Sequence, residues 1–351
     1  MSTKGHDSRI KILNPVELQN ARKLLEGGEE GFHNWSEEKQ YPSFHRAYQE
    51  LTTNFWIPDE VDMKNDVRQY QELSATERNG FDSIIGLLAT LDTPQTRFIY
   101  NVAGYIKDKS ASINATIIAQ QEAIHNESYS YVLSSIAGLK DQRRIFEIAR
   151  THPTIIRRNK PIMEAYQDFM SDPNPNSLIK SLIQSAILEG INFYSGFIYF
   201  YNLARQNRMT GTSTVITFIN RDELAHTKFV TELIRALMGE ESATVSNEAI
   251  SQYVYEAFEH AVSLESEWTD EILDGIDGID CEETMGFIKY RANKMASMLG
   301  LEPVYPEQGN SNTMPWIKAY VDNLNGTKTD FFEQRVSSYS KADKRNDFDS
   351  L

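Results

Sequence analysis

Gln121-Glu-Ala-Ile-His-Asn-Glu-Ser-Tyr129 is the stretch whose reading decides the fold. A helix turns once per ~3.6 residues, so Glu122, His125 and Tyr129, spaced by three and then four, stack on one face. The flanks make the segment helical: Ile113, Ile117 and Ile118 precede it at helical spacing, and Tyr131 and Val132 continue the apolar side. A carboxylate, an imidazole and a phenol therefore point inward together. Buried charge is costly unless it is paired or bound to a metal, so other segments must converge on this face.

Working outward, Val215-Ile-Thr-Phe-Ile-Asn-Arg-Asp-Glu-Leu-Ala-His226 repeats the pattern, with Ile219, Glu223, His226 and Val230 on one face. Two further helices each carry a lone acid among apolar residues. The first starts at the capping box Ser74-Ala-Thr-Glu77 and aligns Ile85, Leu88, Asp92, Gln95 and Ile99. Pro94 removes a helical hydrogen bond there and predicts a kink near Asp92. The second, Leu178 to about Asn207, is strongly apolar and aromatic and contains Glu189, with Phe193 and Phe197 one and two turns on. Ser177 is expected to cap it, after the turn cluster Asp172-Pro-Asn-Pro-Asn176.

The remaining chain also reads as helix. The aromatic-rich segment His45 to Trp56 runs to an end at Pro58, and Asp141 to Tyr166 is amphipathic with a break at Thr151-His-Pro153. Asn247 to Leu264, Glu265 to Leu273 and Glu282 to Leu299 have ordinary amphipathic patterns. Strand patterns are nearly absent, and no solenoid-type repeat is found. The expected fold is all-α: one helical domain over residues 1–325, its first ~40 residues partly irregular, and a polar, flexible tail over 326–351.

The chemistry lies in the sum. Glu122/His125 and Glu223/His226 join the single acids Asp92 and Glu189, which is the inventory of a carboxylate-bridged dinuclear metal site inside a ferritin-like four-helix bundle. Oxygen and imidazole donors suit iron or manganese. Taken singly, either histidine reads as a hydrogen-bonded core residue, Glu189 as a buried partner for Arg or Lys, and Asp92 as the lining of a kink. Taken together, the blander readings require six coincidences.

Composition sets limits. With 351 residues and 40% hydrophobic, the chain can bury a large core; a formal charge of −15 argues against nonspecific binding to nucleic acid or anionic membrane. No apolar run approaches the ~20 residues that span a bilayer, and the N-terminus lacks a secretory signal, so a cytoplasmic location is expected. The single cysteine, Cys281, excludes an intramolecular disulfide and a cysteine-based zinc site.

These residues carry a resemblance. The chain is similar to the radical-generating small subunit of class I ribonucleotide reductase from Tyr41 to Leu351, through Asn54-Phe-Trp-Ile-Pro-Asp-Glu-Val-Asp62, Leu91-Asp-Thr-Pro-Gln95, Glu122-Ala-Ile-His-Asn-Glu-Ser-Tyr129, Leu188-Glu-Gly-Ile-Asn-Phe-Tyr194, Arg221-Asp-Glu-Leu-Ala-His226 and Val336-Ser-Ser-Tyr339. The resemblance implies that Asp92, Glu122 and His125 hold the metal nearer the tyrosine, and Glu189, Glu223 and His226 the other. It implies that Tyr129 is oxidised to a stable radical in an apolar pocket of Phe193, Phe197 and Ile219. Asp222 would link His125 to Trp56, and Trp56 and Tyr339 would relay the oxidising equivalent.

The implied assembly is a homodimer whose tail, anchored by Asn346-Asp-Phe-Asp-Ser-Leu351, docks on a large catalytic subunit that reduces ribonucleotides. A di-iron centre is favoured, with dimanganese or mixed Mn/Fe as alternatives and an activating flavoprotein if manganese is used. Pro94 and Gln121, where related subunits often have a small residue, depart from the pattern beside the metals. Two other classes remain as alternatives: a ligand-binding oxidase or monooxygenase on the same scaffold, and a shorter, shell-forming iron-storage protein. The first would not need Trp56, Asp222 and the Tyr339 tail, and the second would not need Tyr129 in an apolar pocket.

Overall fold

The helix starts after Ser74, Asp108, Asn174, Ser246 and Asp280 are set by the side chains of those residues, which take up backbone N–H groups the first turn leaves unbonded. The computed structural model describes residues 23–26, 33–37, 40–240, 246–309 and 312–321. Its helices are α1 (Pro42–Thr53), α2 (Lys64–Glu72), α3 (Ala75–Tyr105), α4 (Lys109–Ile136), α5 (Leu139–Thr151), α6 (Pro153–Ser171), α7 (Pro175–Ile187), α8 (Phe193–Arg205), α9 (Thr210–Gly239), α10 (Asn247–Ile272), α11 (Cys281–Met298) and α12 (Lys318–Val321). Ser74 and Glu77 form the predicted capping box at α3, and Asp108 accepts from Ala111 N–H (2.8 Å) to begin α4. No strand occurs among the described residues, and no helix there is long and apolar enough to cross a membrane.

Four rods form the centre. α3 packs on α4, α4 on α9, α9 on α7 and α8, and α8 back on α3, which closes a four-helix bundle. α1 lies across α4 and α9, α5 and α6 cover α3, and α10 and α11 cover the α7–α8 rod. Every residue of the α7–α8 rod from 181 through 203 is buried.

The structure corrects several local expectations. Asn174, not Ser177, is the N-cap of α7, because its carboxamide accepts from the N–H groups of Asn176 and Ser177 while the Ser177 hydroxyl accepts from Asn174 N–H. The segments at Asn247 and Glu265 are one helix, α10. α1 stops at Thr53, before Pro58. The predicted helix around Glu189 is divided by a π-helical turn, Leu188–Asn192, between α7 and α8. The tail from Gly326, including Tyr339 and the Asn346–Leu351 anchor, lies outside the described residues.

Candidate metal centre

One acid or acid–histidine unit comes from each rod of the bundle: Asp92 from α3, Glu122 and His125 from α4, Glu189 from the π turn, and Glu223 and His226 from α9. All six side chains have zero exposure. Ligand atoms of Glu122, Glu189, Glu223 and His226 lie within 4.8 Å of one another, and those of Asp92, Glu122 and His125 do so as well. Glu122 belongs to both groups, as a bridging carboxylate must.

The histidines declare which nitrogen faces inward. His125 Nδ1 is 3.0 Å from Glu223 Oε1 and 3.7 Å from Glu122 Oε2, and His226 Nδ1 is 3.1 Å from Glu122 Oε1 and 3.2 Å from Glu223 Oε2. Both Nδ1 atoms thus address the same two carboxylates. Both Nε2 atoms point away: His125 Nε2 lies 3.2 Å from Asp222 Oδ2, and His226 Nε2 3.0 Å from Gln121 Oε1. A metal-binding imidazole is arranged this way, with one nitrogen on the ion and the other N–H held by an outer acceptor.

The donor set fits a pair of cations better than it fits itself. Both oxygens of Asp92, both of Glu122, Oε2 of Glu189 and Oε1 of Glu223 are buried without an aligned hydrogen bond. Orphaned buried carboxylate oxygens are rare unless something else neutralises them. Burial, reinforced by neighbouring carboxylates, raises Asp92 and Glu189 well above the ordinary range. Burial alone would lower the histidines, yet Glu223 and Asp222 raise His125, and Glu122 and Glu223 raise His226. Burial also works against ionised Glu223, but the two histidines outweigh it and lower its pKa. Protons here occupy the electrostatic role that divalent ions would take, and mixed oxygen and imidazole donors suit iron or manganese.

Around the six candidate ligands lies a layer of polar connections. Trp56, almost fully buried between exposed Phe55 and Ile57, donates its indole N–H to Asp222 Oδ2 at 2.7 Å. The same oxygen meets His125, so Trp56, Asp222 and His125 form one continuous chain. Gln121 plays the corresponding part for His226 and donates its own amide N–H to Leu51 O (3.2 Å) in α1. Gln95 donates to Glu189 and to Ser185 Oγ, and accepts from the Tyr166 hydroxyl. Tyr129 is fully buried and its hydroxyl makes no aligned hydrogen bond; burial first, then the charges of Asp92, Glu223 and Glu122, push its pKa well above the usual phenol range.

The ligand residues named from sequence are therefore brought together without exception. Phe193, Phe197 and Ile219 are fully buried on the α8 and α9 rods, and Phe193 and Phe197 pack ring on ring at 5.8 Å. Sequence reasoning did not assign the partners Gln121, Gln95 and Tyr166. Gln95 lay on the Asp92 stripe, three residues on, and Gln121 stood beside Glu122, but neither position names a bonding partner; Tyr166 comes from α6 with no signal.

Comparison with known proteins agrees with this geometry. The family model described as "Ribonucleotide reductase, small chain" matches residues 34–313. The chain is 39% identical over 329 residues to the ribonucleoside-diphosphate reductase subunit beta of Halalkalibacterium halodurans, covering 93% of this chain and 94% of that protein. It is 34% identical over 323 residues to the subunit beta of Treponema pallidum, covering 92% and 91%. The solved ribonucleotide reductase R2 subunit from Clostridium botulinum superposes with a TM-score of 0.84 at 32% identity, covering 89% of this chain and 98% of that one. A buried carboxylate–histidine cage of this composition, on this bundle, in a chain so related, has one reading: the protein belongs to the ribonucleotide reductase small-chain family and carries that family's dinuclear metal site.

Proposed function

We propose that Tyr129 is the residue this small subunit oxidises, and that the oxidising equivalent leaves through Asp222 and Trp56, and then Tyr339, to a large catalytic subunit that reduces ribonucleotides. The observation that carries the reading is a fully buried phenol one turn beyond the candidate ligand His125, on the same helix and inside the same buried interior. Bound iron or manganese ions, with di-iron favoured, would supply the one-electron oxidation. Asp92, Glu122 and His125 would hold the ion on the tyrosine side, and Glu189, Glu223 and His226 the other, with Glu122 and Glu223 facing both histidines.

The remaining work falls to the chain's own side chains. A phenol that loses an electron must also shed its proton, because burial disfavours charge on the ring oxygen. Among the charges acting on that hydroxyl Asp92 is the strongest, and neither of its oxygens makes an aligned hydrogen bond, so Asp92 is the proton's natural acceptor. Phe193, Phe197 and Ile219 exclude water that would quench a phenoxyl. Asp222 accepts from the Trp56 indole N–H while facing His125, so proton and electron positions along this path are joined by short polar contacts. The names of the relatives favour this reading over an oxidase on the same scaffold.

The same reading includes a homodimer, a cytoplasmic location, an activating flavoprotein if manganese is used, and one helical domain followed by the docking tail. Reconstituting the full chain with Fe(II) or Mn(II) and an oxidant, then recording electron paramagnetic resonance, tests the tyrosine. Wild type should give a tyrosyl signal that Tyr129→Phe abolishes; a signal that persists in the variant refutes the assignment. Truncation after Lys341 should leave that signal intact and abolish reductase activity with the large subunit. Full activity of the truncated chain would remove the tail from the mechanism.

A further inference from the structure

The one ligand not carried by a regular α-helix is Glu189, which sits in the π turn Leu188–Asn192. In this turn the ladder widens, so that Phe193 N–H reaches back to Leu188 O. A π turn behaves as an α-helix with one residue inserted. Returning it to α register would rotate everything before it by ~100° against everything after it, and Glu189 and the aromatic run of α8 could not both keep their places. Something outside the rod must hold the wider turn.

Two buried arginines meet its carbonyls. Arg158, from α6, donates Nη2–H to Asn192 O and Nε–H to Glu265 of α10. Glu265 is itself fixed by the Ser195 hydroxyl at 2.6 Å, and both members of the ion pair are buried. Arg291, from α11, donates Nε–H to Gly190 O at 3.1 Å, and its guanidinium lies 3.8 Å over the Tyr194 ring. Its Nη1 is buried without a hydrogen-bond partner. A buried cation is expensive unless something needs it, and the contacts of Arg291 are a carbonyl of the π turn and the ring of Tyr194, just beyond it. Gly190 permits the approach: a Cβ there would fall 2.5 Å from Met295 Sδ of α11.

We propose that Arg158 and Arg291, from helices outside the bundle, latch the π turn and act as positioning residues for Glu189. Neither arginine is within hydrogen-bonding reach of the ligand carboxylate; each acts on the backbone that aims it. The inference rests on the reading of Glu189 as a metal ligand. The latch makes one side of the metal centre dependent on α6, α10 and α11, whereas the Asp92–Glu122–His125 side depends on α3 and α4.

Mn(II) titration of the full-length protein tests this, with free ion read by electron paramagnetic resonance and with hydrogen–deuterium exchange followed over 188–194. Arg291→Met strands no buried charge and should weaken the second Mn(II) by tenfold or more, leave the first unchanged, and speed exchange in the π turn. Arg291→Lys, which keeps a donor, should recover part of the loss. Arg158→Met paired with Glu265→Leu removes both partners of the ion pair together and should act like Arg291→Met. A merely structural role would lower the melting temperature without changing the ratio of the two binding constants. Equal, wild-type constants in both folded variants overturn the latch alone. A wild type that binds a single ion would sink the ligand reading of Glu189 and the latch with it.

Discussion

At the residue scale the two halves of the site differ in what holds the far nitrogen of each histidine. His125 faces the carboxylate of Asp222, and His226 faces the amide of Gln121. The Gln121 amide has a defined orientation, because Leu51 O can only accept, so the Gln121 nitrogen must face Leu51 and its oxygen His226. His226 Nε2 is then the protonated nitrogen and Nδ1 is free for a metal. Gln121→Leu removes the acceptor and leaves a buried imidazole N–H unsatisfied, which costs ~1–3 kcal/mol of apo stability. It should weaken metal binding by roughly 10–100-fold, the usual scale for losing such a partner. Thermal melting and Mn(II) titration check the two effects, and unchanged metal affinity would show that His226 needs no such support. Sequence made the candidate ligands legible because Glu122/His125 and Glu223/His226 repeat at helical spacing on apolar faces. It gave no sign of the Gln121–His226 bond, which joins residues 105 apart with no periodic signature.

At the element scale, what sequence left hidden follows from burial. The π turn escaped notice because residues 181–203 are all buried, so an inserted residue changes no apolar–polar rhythm from which a shift of register could be read. The start of α9 was obscured for a different reason. Its N-cap, Met209, is left-handed (φ 48°) and contributes no cap; Asp66 of α2 supplies it instead, accepting from Gly211 N–H (3.0 Å), Thr212 N–H (2.7 Å) and the Thr212 hydroxyl (2.7 Å). That docking requires Gly211, since a Cβ there would lie 2.7 Å from Asp62 O, a backbone atom, and 2.9 Å from Met63 Sδ. Gly211→Ala should therefore destabilise by ~1–3 kcal/mol, the range for forced overpacking, despite the better helix propensity of alanine. Gly104→Ala, on α3 with nothing within 4 Å, is the control and should be neutral or stabilising. Equal melting shifts for the two variants would show that α2 yields easily and that the close approach is not a constraint.

At the scale of the whole molecule, the interior was assembled around a charge problem that the protein alone does not solve. Four carboxylates and two histidines converge with zero exposure, and several of the carboxylate oxygens make no aligned hydrogen bond. The surrounding bundle therefore stores a penalty that divalent ions relieve, and ions that bind only the folded state stabilise it by mass action. An ion at a hundred times its dissociation constant contributes ~2.7 kcal/mol, which for a chain of this size should raise the melting temperature by roughly 4 °C per ion. The net charge of −15 complicates this test, because an acidic surface attracts any divalent cation. Mg(II) separates the two effects: it feels the same surface field but binds imidazole poorly and gives up its waters reluctantly. Calorimetry of the chelator-treated chain should then show a large upward shift with Mn(II) or Fe(II), reversed by chelator, and a small one with Mg(II). Replacing both histidines, His125→Ala with His226→Ala, should collapse the Mn(II) shift to the Mg(II) value. Indistinguishable shifts for Mn(II) and Mg(II) in the wild type would mean that stabilisation comes from the surface and that the interior is satisfied by its own protons.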